Sequence, residues 1–287
     1  MIMDSQYVVI GNHRQSTEID EELLETLEIK YTQLKDYFKK LGSVIIAFSG
    51  GVDSTLLLKV AHDTLGEKAL AVTASTSTLA QRELEETKKL AQIIGAQHRI
   101  ITYEEMENEN YRKNPTNRCY YCKDMLFEQL TEIAAQENIY TIVEGSNYDD
   151  LGDHRPGLQA AQQRGIKSPL LELGFTKTEI RQLSAQLGLP THNKPQLACL
   201  SSRIPYGQEI TKEKLVRIDE AEEYLHNLGV KQLRVRHHDN IARIEVEPHH
   251  FPMIAKHAQQ ITEKLKSLGF KFVALDLEGY QRGKMNQ

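Results

Sequence analysis

Six residues, Ser49-Gly-Gly-Val-Asp-Ser54, have the composition of a phosphate-binding turn. Gly50 and Gly51 lack a Cβ, so the backbone can adopt unusual φ values and approach an anion closely. The N–H groups of the turn and of a following helix would point at a phosphate, aided by the positive end of that helix. Ser49 and Ser54 add hydroxyl donors. Asp53 would repel a bare phosphate, so it suits a helix cap or a contact to Mg2+. The turn is not a Walker sequence, because G-x-x-x-x-G-K-[ST] is missing. The plainer alternative is a glycine-rich strand-to-helix turn with a serine cap. The full six-residue pattern after a buried strand favours the phosphate site.

Three cysteines form the second group. Cys119 and Cys122 make a C-x-x-C just before an expected helix, beside Arg118 and Lys123. Positive neighbours and a helix N-terminus lower thiol pKa values. Cys199 stands in a later loop that could fold back over a nucleotide. Three thiolates suit a [4Fe-4S] cluster with one open iron. With His192 as a fourth ligand they would equally suit zinc.

Cations and acids complete the inventory. Arg155, Arg203, Arg234 and Arg236 are candidates for binding phosphate or carboxylate, because a guanidinium makes planar bidentate contacts. Arg234 and Arg236 alternate along an expected strand and so share a face. Asn147, Asp149 and Asp150 follow another strand and face the crevice of the glycine turn; Asp149 or Asp150 suits Mg2+ or ribose. The pairs His237-His238 and His249-His250 have no acids at ligand spacing and read as surface or packing residues.

These groups need elements to place them. Residues 44–48 are a short apolar run, which reads as a strand buried on both faces of a parallel sheet. Further strands are expected at 69–73, 98–102 and 140–144, with helices at 21–41, 55–65, 81–94 and 123–136. Such alternation implies right-handed βαβ crossovers and a doubly wound, mostly parallel α/β domain. Thr176-Lys-Thr-Glu179 is a capping box that opens a helix to 187. The stretch 192–207 has no periodicity and reads as a domain junction. Beyond it come a helix at 211–228, strands at 232–237 and 241–246, a helix at 249–268 and a strand at 271–275. That order suggests a smaller C-terminal α+β domain with an antiparallel pair.

The chain has 287 residues, and at roughly 150 residues per domain it fits two domains. The expected division is an N-terminal extension at 1–20, a nucleotide domain at 21–200 and a substrate or oligomerisation domain at 201–287. A net charge of −5 argues against broad nucleic-acid binding. No apolar run is long enough for a membrane span, and the polar start is not a secretory signal. With too few cysteines for a disulfide scaffold, the expectation is a cytoplasmic enzyme.

Ser49 to Ser54 resembles the PP-loop of the ATP pyrophosphatase superfamily, whose members split ATP between the α and β phosphates. Glu144-Gly-Ser-Asn-Tyr-Asp-Asp150, His154-Arg-Pro-Gly-Leu158, Cys199-Leu-Ser-Ser-Arg-Ile-Pro-Tyr-Gly207, Val235-Arg236, Asp239-Asn-Ile-Ala-Arg-Ile-Glu245 and Gly279-Tyr-Gln-Arg-Gly-Lys-Met-Asn286 narrow the resemblance to the LarE family. Those enzymes are ATP-dependent sulfur transferases of nickel-pincer nucleotide synthesis, which supplies lactate racemase. The resemblance implies ATP and Mg2+ held by Ser49, Gly50, Gly51, Asp53, Ser54, Gly145, Asp150 and Arg155. It implies a pyridinium mononucleotide substrate with two carboxylates, contacted by Arg234, Arg236 and Glu245. Ser202 and Arg203 match a family pair near the sulfur donor, although one residue is missing between Cys199 and Ser202. The best-known members have only the cysteine matching Cys199, which surrenders its sulfur and becomes dehydroalanine. Relatives with two more cysteines, as Cys119 and Cys122 here, hold a [4Fe-4S] cluster whose open iron carries the sulfide to be transferred. The resemblance also implies a hexamer and allows hand-over of product to a nickel-inserting enzyme; the charge and the lack of an apolar span speak against nucleic acid and membrane as partners. The rival readings are an NAD synthetase-like enzyme with a nitrogen nucleophile, a tRNA thiolase and a non-catalytic nucleotide-binding module.

Overall fold

The computed structural model describes residues 13–152, 156–196 and 198–281, with side chains from residue 25 onward. Arg155, Leu197 and the terminal 282–287 stretch lie outside the described residues.

The described residues open with helix α1 (His13–Leu41). Strand β1 (Val44–Ala47) and helix α2 (Val52–Leu65) flank the glycine turn. Strand β2 (Ala69–Ala74), helix α3 (Gln81–Ile94) and strand β3 (Gln97–Ile101) follow. A short helix α4 (Glu109–Arg112) precedes α5 (Arg118–Glu137) and the two-residue strand β4 (Ile142–Val143). The first half ends with α6 (Pro156–Gln163), α7 (Pro169–Glu172) and α8 (Lys177–Gln186).

The four strands form one sheet in the order β3-β2-β1-β4, all parallel. Successive side chains of a strand point to opposite faces, and each face is covered. Val44 and Ile46 of β1, with Ala69 and Ala71 of β2, pack with α1, α2 and α8 through Phe38, Leu57 and Leu183. Ile45, Leu70 and Val72 pack on the other face against Phe127 and Leu130 of α5 and Ala160 of α6. This is the doubly wound α/β arrangement. The chain turns one way from β1 through β2 to β3, and β4 lies on the other side of β1. That reversal leaves a crevice at the carboxyl ends of β1 and β4, where open α/β sheets bind ligands.

The capping box is present: the Thr176 hydroxyl accepts from the Glu179 N–H, and the Glu179 carboxylate accepts from the Thr176 N–H. Helix α9 (Lys212–Asn227), strands β5 (Leu233–His238) and β6 (Ile241–Val246), helices α10 (Phe251–Lys256) and α11 (Ala258–Ser267) and strand β7 (Phe272–Leu275) form the second unit. Its sheet runs β5-β6-β7, antiparallel in the first pair and parallel in the second.

Three expectations are corrected. Helix α5 starts at Arg118, so Cys119 and Cys122 lie inside it rather than before it. The helix expected at 249–268 is split at His257 into α10 and α11, with neither Gly nor Pro to announce the break. Strand β4 has shrunk to two paired residues, although Val143 also bridges to Lys167.

His237 is a packing residue, as read from the sequence. It is 2% exposed, its ring centroid lies 5.2 Å from that of Phe270 at a tilt of 55°, and neither ring nitrogen has a hydrogen-bond partner. Burial, and then the charges of Lys214 and Arg217, push its pKa down from 6.5 to about 4. Because the folded value is the lower one, acid favours the unfolded chain. The neutral ring's contribution is complete above about 6.5 and is lost as the pH falls from there to about 4. Denaturant melts of wild type and His237→Phe should therefore give a stability difference that is constant above pH 7 and shifts in the variant's favour on acidification. A difference that does not change with pH would contradict this assignment.

Candidate functional site

The glycine turn is built by its own hydroxyls. Ser49 and Ser54 Oγ atoms lie 3.1 Å apart, and Ser54 Oγ accepts from the Ser49 N–H at 3.3 Å and donates to the Gly51 carbonyl at 3.3 Å. Gly50 has φ +67°, and a Cβ there would sit 2.9 Å from Cγ2 of Thr87 on α3. The turn thus requires glycine twice over, for conformation and for close approach to α3. Lys194 donates to the Gly50 carbonyl at 3.1 Å while pairing with Glu83 at 2.9 Å and Glu86 at 2.8 Å. That ties the turn to the loop after α8.

The opposite wall of the crevice is the segment after β4. A Cβ on Gly145 would meet the Ser54 nitrogen at 3.1 Å and Asp53 Cβ at 3.2 Å, so backbone there lies against the first turn of α2. Asn147 donates to Asp53 Oδ1 at 3.3 Å, and its own N–H donates to Asp150 Oδ2 at 3.0 Å. Asp53, Asn147, Asp149 and Asp150 are therefore gathered around one point, as expected of a shared crevice.

Lys177 was not anticipated. Its ammonium holds both Asp53 oxygens at 2.7 and 2.6 Å, and its N–H donates to Asp149 Oδ2 at 2.8 Å. Burial raises the Asp53 pKa in spite of Lys177, and the nearby Asp150 adds to the rise. A signal existed: Lys177 is the first residue of a capped helix, where the positive helix end disfavours a cation unless an anion faces it.

Cys119 and Cys122 are three apart in the first turn of α5, on one helix face. Cys199 immediately precedes a 3-10 turn at Leu200–Arg203. That turn is fastened to the first unit by buried hydrogen bonds. Leu200 N–H donates to the Thr78 carbonyl at 2.9 Å, Tyr111 and Ser201 hydroxyls meet at 2.7 Å, and Arg118 donates to the Ser201 carbonyl at 3.2 Å. Asn114 Nδ2 donates to the carbonyls of Ile204 at 3.2 Å and Pro205 at 2.8 Å. The turn brings Cys199 near enough to α5 that it and Cys119 both push up the pKa of Cys122 and of Arg118. Lys123, on the next turn, pairs with Glu144 at 3.5 Å, and Gly145 then leads to Ser54. Thiols and glycine turn share the carboxyl edge of the sheet.

The expected acidification of the thiols fails at Cys122. Burial pushes its pKa well up, and Glu105, Cys199 and Cys119 push it further. The basic neighbours act elsewhere: Arg118 lies 5.5 Å from the Tyr206 ring centroid and bonds Asn114 and Ser201.

The arginines have different fates. Arg203 is 5% exposed and makes a bidentate pair with Glu222 at 2.9 and 2.8 Å; its Nη1 also caps the carbonyls of Ala198 and Cys199. Arg236 donates through Nε and Nη2 to one oxygen, Oε2, of fully buried Glu245 at 2.9 and 2.8 Å, and through Nη1 to the Ser202 carbonyl at 2.9 Å. Arg243 also pairs with Glu245, at 2.9 Å. Arg234 instead has carbonyl partners, Leu233 at 2.6 Å and Gln196 at 3.5 Å, and faces the Tyr280 ring at 5.2 Å. Burial, then Arg203, depress its pKa, so its charge is the poorly compensated one. Arg234 and Arg236 share a face, as expected, and both reach the junction loop.

His192 does not join the thiols; its Nδ1 is 3.0 Å from the Leu189 carbonyl. His249 and His250 have an acid beside them after all: Glu247 brings a ligand atom within 4.8 Å of theirs, the one such trio among the described residues. Cys119, Cys122 and Cys199 do not form such a trio. A hollow of about 500 Å3 opens at the far end of the sheet, by Gly42, Lys68 and Asn138, away from this chemistry. No described helix is long and apolar enough to cross a membrane.

Residues 25–124, which include the glycine turn and the C-x-x-C, match the NAD synthase family. The pyridinium-3,5-bisthiocarboxylic acid mononucleotide synthase of Lactiplantibacillus plantarum is 37% identical over 92% of this chain and 96% of its own length. An uncharacterized protein of Synechocystis is 48% identical over 91% of this chain and 98% of its own. Another, from Methanocaldococcus jannaschii, is 35% identical over 86% and 94%.

The glycine turn supplies a direct test. Gly50→Ala and Gly42→Ala both place alanine at positive φ, +67° and +74°, but a Cβ on Gly42 meets nothing within 4 Å. Each should lose about 1–2 kcal/mol of stability to backbone strain. Only Gly50→Ala should also lose ATP–pyrophosphate exchange, by ~10-fold or more. Equal exchange rates in the two variants would remove the turn from the nucleotide site.

Proposed function

We propose that this chain, which belongs to the family of the pyridinium-3,5-bisthiocarboxylic acid mononucleotide synthases (LarE), is an ATP-dependent sulfur transferase. Its substrate would be pyridinium-3,5-biscarboxylic acid mononucleotide, whose two carboxylates become thiocarboxylates. The observation that carries this reading is the placement of three thiols and an intact PP-loop at one edge of one sheet.

The chemistry needs both groups. A carboxylate is a poor acyl donor because its leaving group would be oxide. A carboxylate oxygen attacks the α-phosphorus of ATP, pyrophosphate leaves, and an acyl adenylate results. The N–H groups of the 49–54 turn, with the hydroxyls of Ser49 and Ser54, would hold the departing pyrophosphate. Asp53 and Asp150 would take Mg2+, and Lys177, released from Asp53, would turn to the phosphates. Gly145 lets the second wall close on the turn, and Arg155 would add a cation. A sulfur nucleophile then attacks the acyl carbon, and AMP leaves.

Cys119, Cys122 and Cys199 would hold a [4Fe-4S] cluster, which when bound supplies a transferable sulfide. The donor set suits that group in kind, being three thiols of which Cys119 and Cys199 lie near enough to Cys122 to act on its pKa. Arg203 fixes the Cys199 backbone through its carbonyl, so it and Ser202 position the loop. Arg234 is the available cation for the substrate phosphate; Arg236 and Glu245 hold the strand pair that presents it. In this reading residues 21–200 bind ATP and residues 201–287 bind substrate and assemble the oligomer, a hexamer. The enzyme would work in the cytoplasm and pass its product to a nickel-inserting enzyme. The nitrogen-nucleophile and tRNA thiolase readings leave the thiols or the acidic net charge without a role.

Protein purified without air should contain iron and acid-labile sulfide and absorb broadly in the visible. Cys199→Ala should abolish thiocarboxylate formation and retain ATP–pyrophosphate exchange. Stoichiometric zinc without iron would exclude the cluster, and dehydroalanine at position 199 after turnover would replace it with a sacrificial thiol. Loss of exchange in Cys199→Ala would tie the thiol to adenylation instead.

A further inference from the structure

The turn after β6 gathers a carboxylate and two imidazoles, and its backbone explains how they meet. Glu247 is still extended, with φ −63° and ψ 142°. Pro248, whose ring fixes φ, then opens the 3-10 turn Pro248–His250. The Glu247 carbonyl accepts from the His250 N–H at 2.8 Å. That closure over three residues brings position 250 back over position 247. The His249 ring completes the group, its centroid 3.9 Å from that of His250 at a tilt of 42°. One ligand atom from each of the three side chains lies within 4.8 Å of the other two. His250 Nδ1 is shielded from water and has no hydrogen-bond partner. A shielded polar atom is ordinarily satisfied by protein, water or an ion.

Both ends of the turn are anchored. Val246 is fully buried, and its carbonyl accepts from the Tyr280 N–H at 3.0 Å. Gly279 has φ +71°, and a Cβ there would sit 2.9 Å from the Val246 carbonyl oxygen and 3.3 Å from Pro248 Cδ. The segment ending at Tyr280 therefore lies against the turn. Beyond His250, buried Ile254 holds α10 to the core.

We infer that Glu247, His249 and His250 form a site for a divalent first-row transition metal such as zinc. Two imidazole nitrogens and a carboxylate oxygen suit Zn2+, Co2+ or Ni2+, whereas Mg2+ and Ca2+ take oxygen donors. Donors on one ion at about 2.1 Å lie within about 4.2 Å of one another, so a small rotation of the side chains closes the set. Three protein donors leave a position open for water or an incoming anion. His249 is exposed and the other two are half-buried, so the ion enters from solvent. The site shares no residue with the thiols and stands whether or not they bind a cluster. It lies at the end of the second sheet where Arg234 sits. Leu233 pairs with Val246, and Arg234 faces the ring of Tyr280, whose N–H is bonded to Val246. A bound ion adds positive charge at the same end of the sheet as the available arginine.

The test is equilibrium dialysis of the reduced full chain against Zn2+, and against Co2+ for its spectrum. Wild type is compared with Glu247→Gln, His249→Ala, His250→Ala and His257→Ala. His257 is a control in the same unit, with Nδ1 2.9 Å from Gln260 Oε1. Wild type should bind one ion more per chain than either His249→Ala or His250→Ala. Glu247→Gln should hold that ion ~10-fold more weakly or worse, the scale on which metal sites lose affinity when a partner is removed. His257→Ala should match wild type. The Co2+ bands missing from the two histidine variants should be ligand-field bands without sulfur-to-metal charge transfer, which separates this ion from any on the cysteines. Equal binding by wild type and both histidine variants would overturn the site. So would loss of the same ion in His257→Ala, or missing bands of sulfur charge-transfer character, because the ion would then belong to other donors.

Discussion

The 204–207 end of the junction loop is held by one buried side chain, Asn114. It is fully buried and left-handed, with φ +55°, a conformation that Asn tolerates better than most residues. Its side-chain N–H groups hold the carbonyls of Ile204 and Pro205, its Oδ1 takes Arg118, and its own carbonyl accepts from Gly207 at 2.9 Å. Ile204 is buried, and a buried polar group left without a partner costs about 1–3 kcal/mol. Asn114 therefore joins the first turn of α5, which carries two thiols, to the loop that carries the third. Met106, Tyr111, Leu200, Ile204 and Ile210 pack around the same join. The chemistry proposed here requires distant parts of the sequence to meet, and this is where they meet.

Much of that arrangement was legible in the sequence. The run at 44–48 announced a strand buried on both faces, and α3 and β6 were read to the residue. The glycine turn was legible because its residue types answer local backbone needs. The break at His257 was not, because no glycine or proline marks it. Asn114 was not legible either, since its partners are carbonyls some 90 residues away in the chain. Sequence periodicity carries no trace of such a contact.

The arginines separate what sequence reasoning can and cannot do. Their number and strand register were readable; their partners were not. Glu222 and Glu245 fall on helical and strand positions that would pass as solvated faces. Both are buried instead, and each claims an arginine that looked available for substrate. A buried pair is a weak source of net stability but a strong constraint, because removing one partner strands the other's charge. Arg234 escapes that commitment, which is why the same strand can present one structural and one available cation.

Glu222 carries a further consequence. Its Oε1 accepts from both Arg203 Nε and the Val235 N–H, at 2.9 and 2.8 Å, while Oε2 takes Arg203 Nη2. One carboxylate thus couples helix α9, strand β5 and, through Arg203, the backbone at Ala198 and Cys199. The three are therefore held in one fixed relation, and a substitution at position 222 would loosen all of them together.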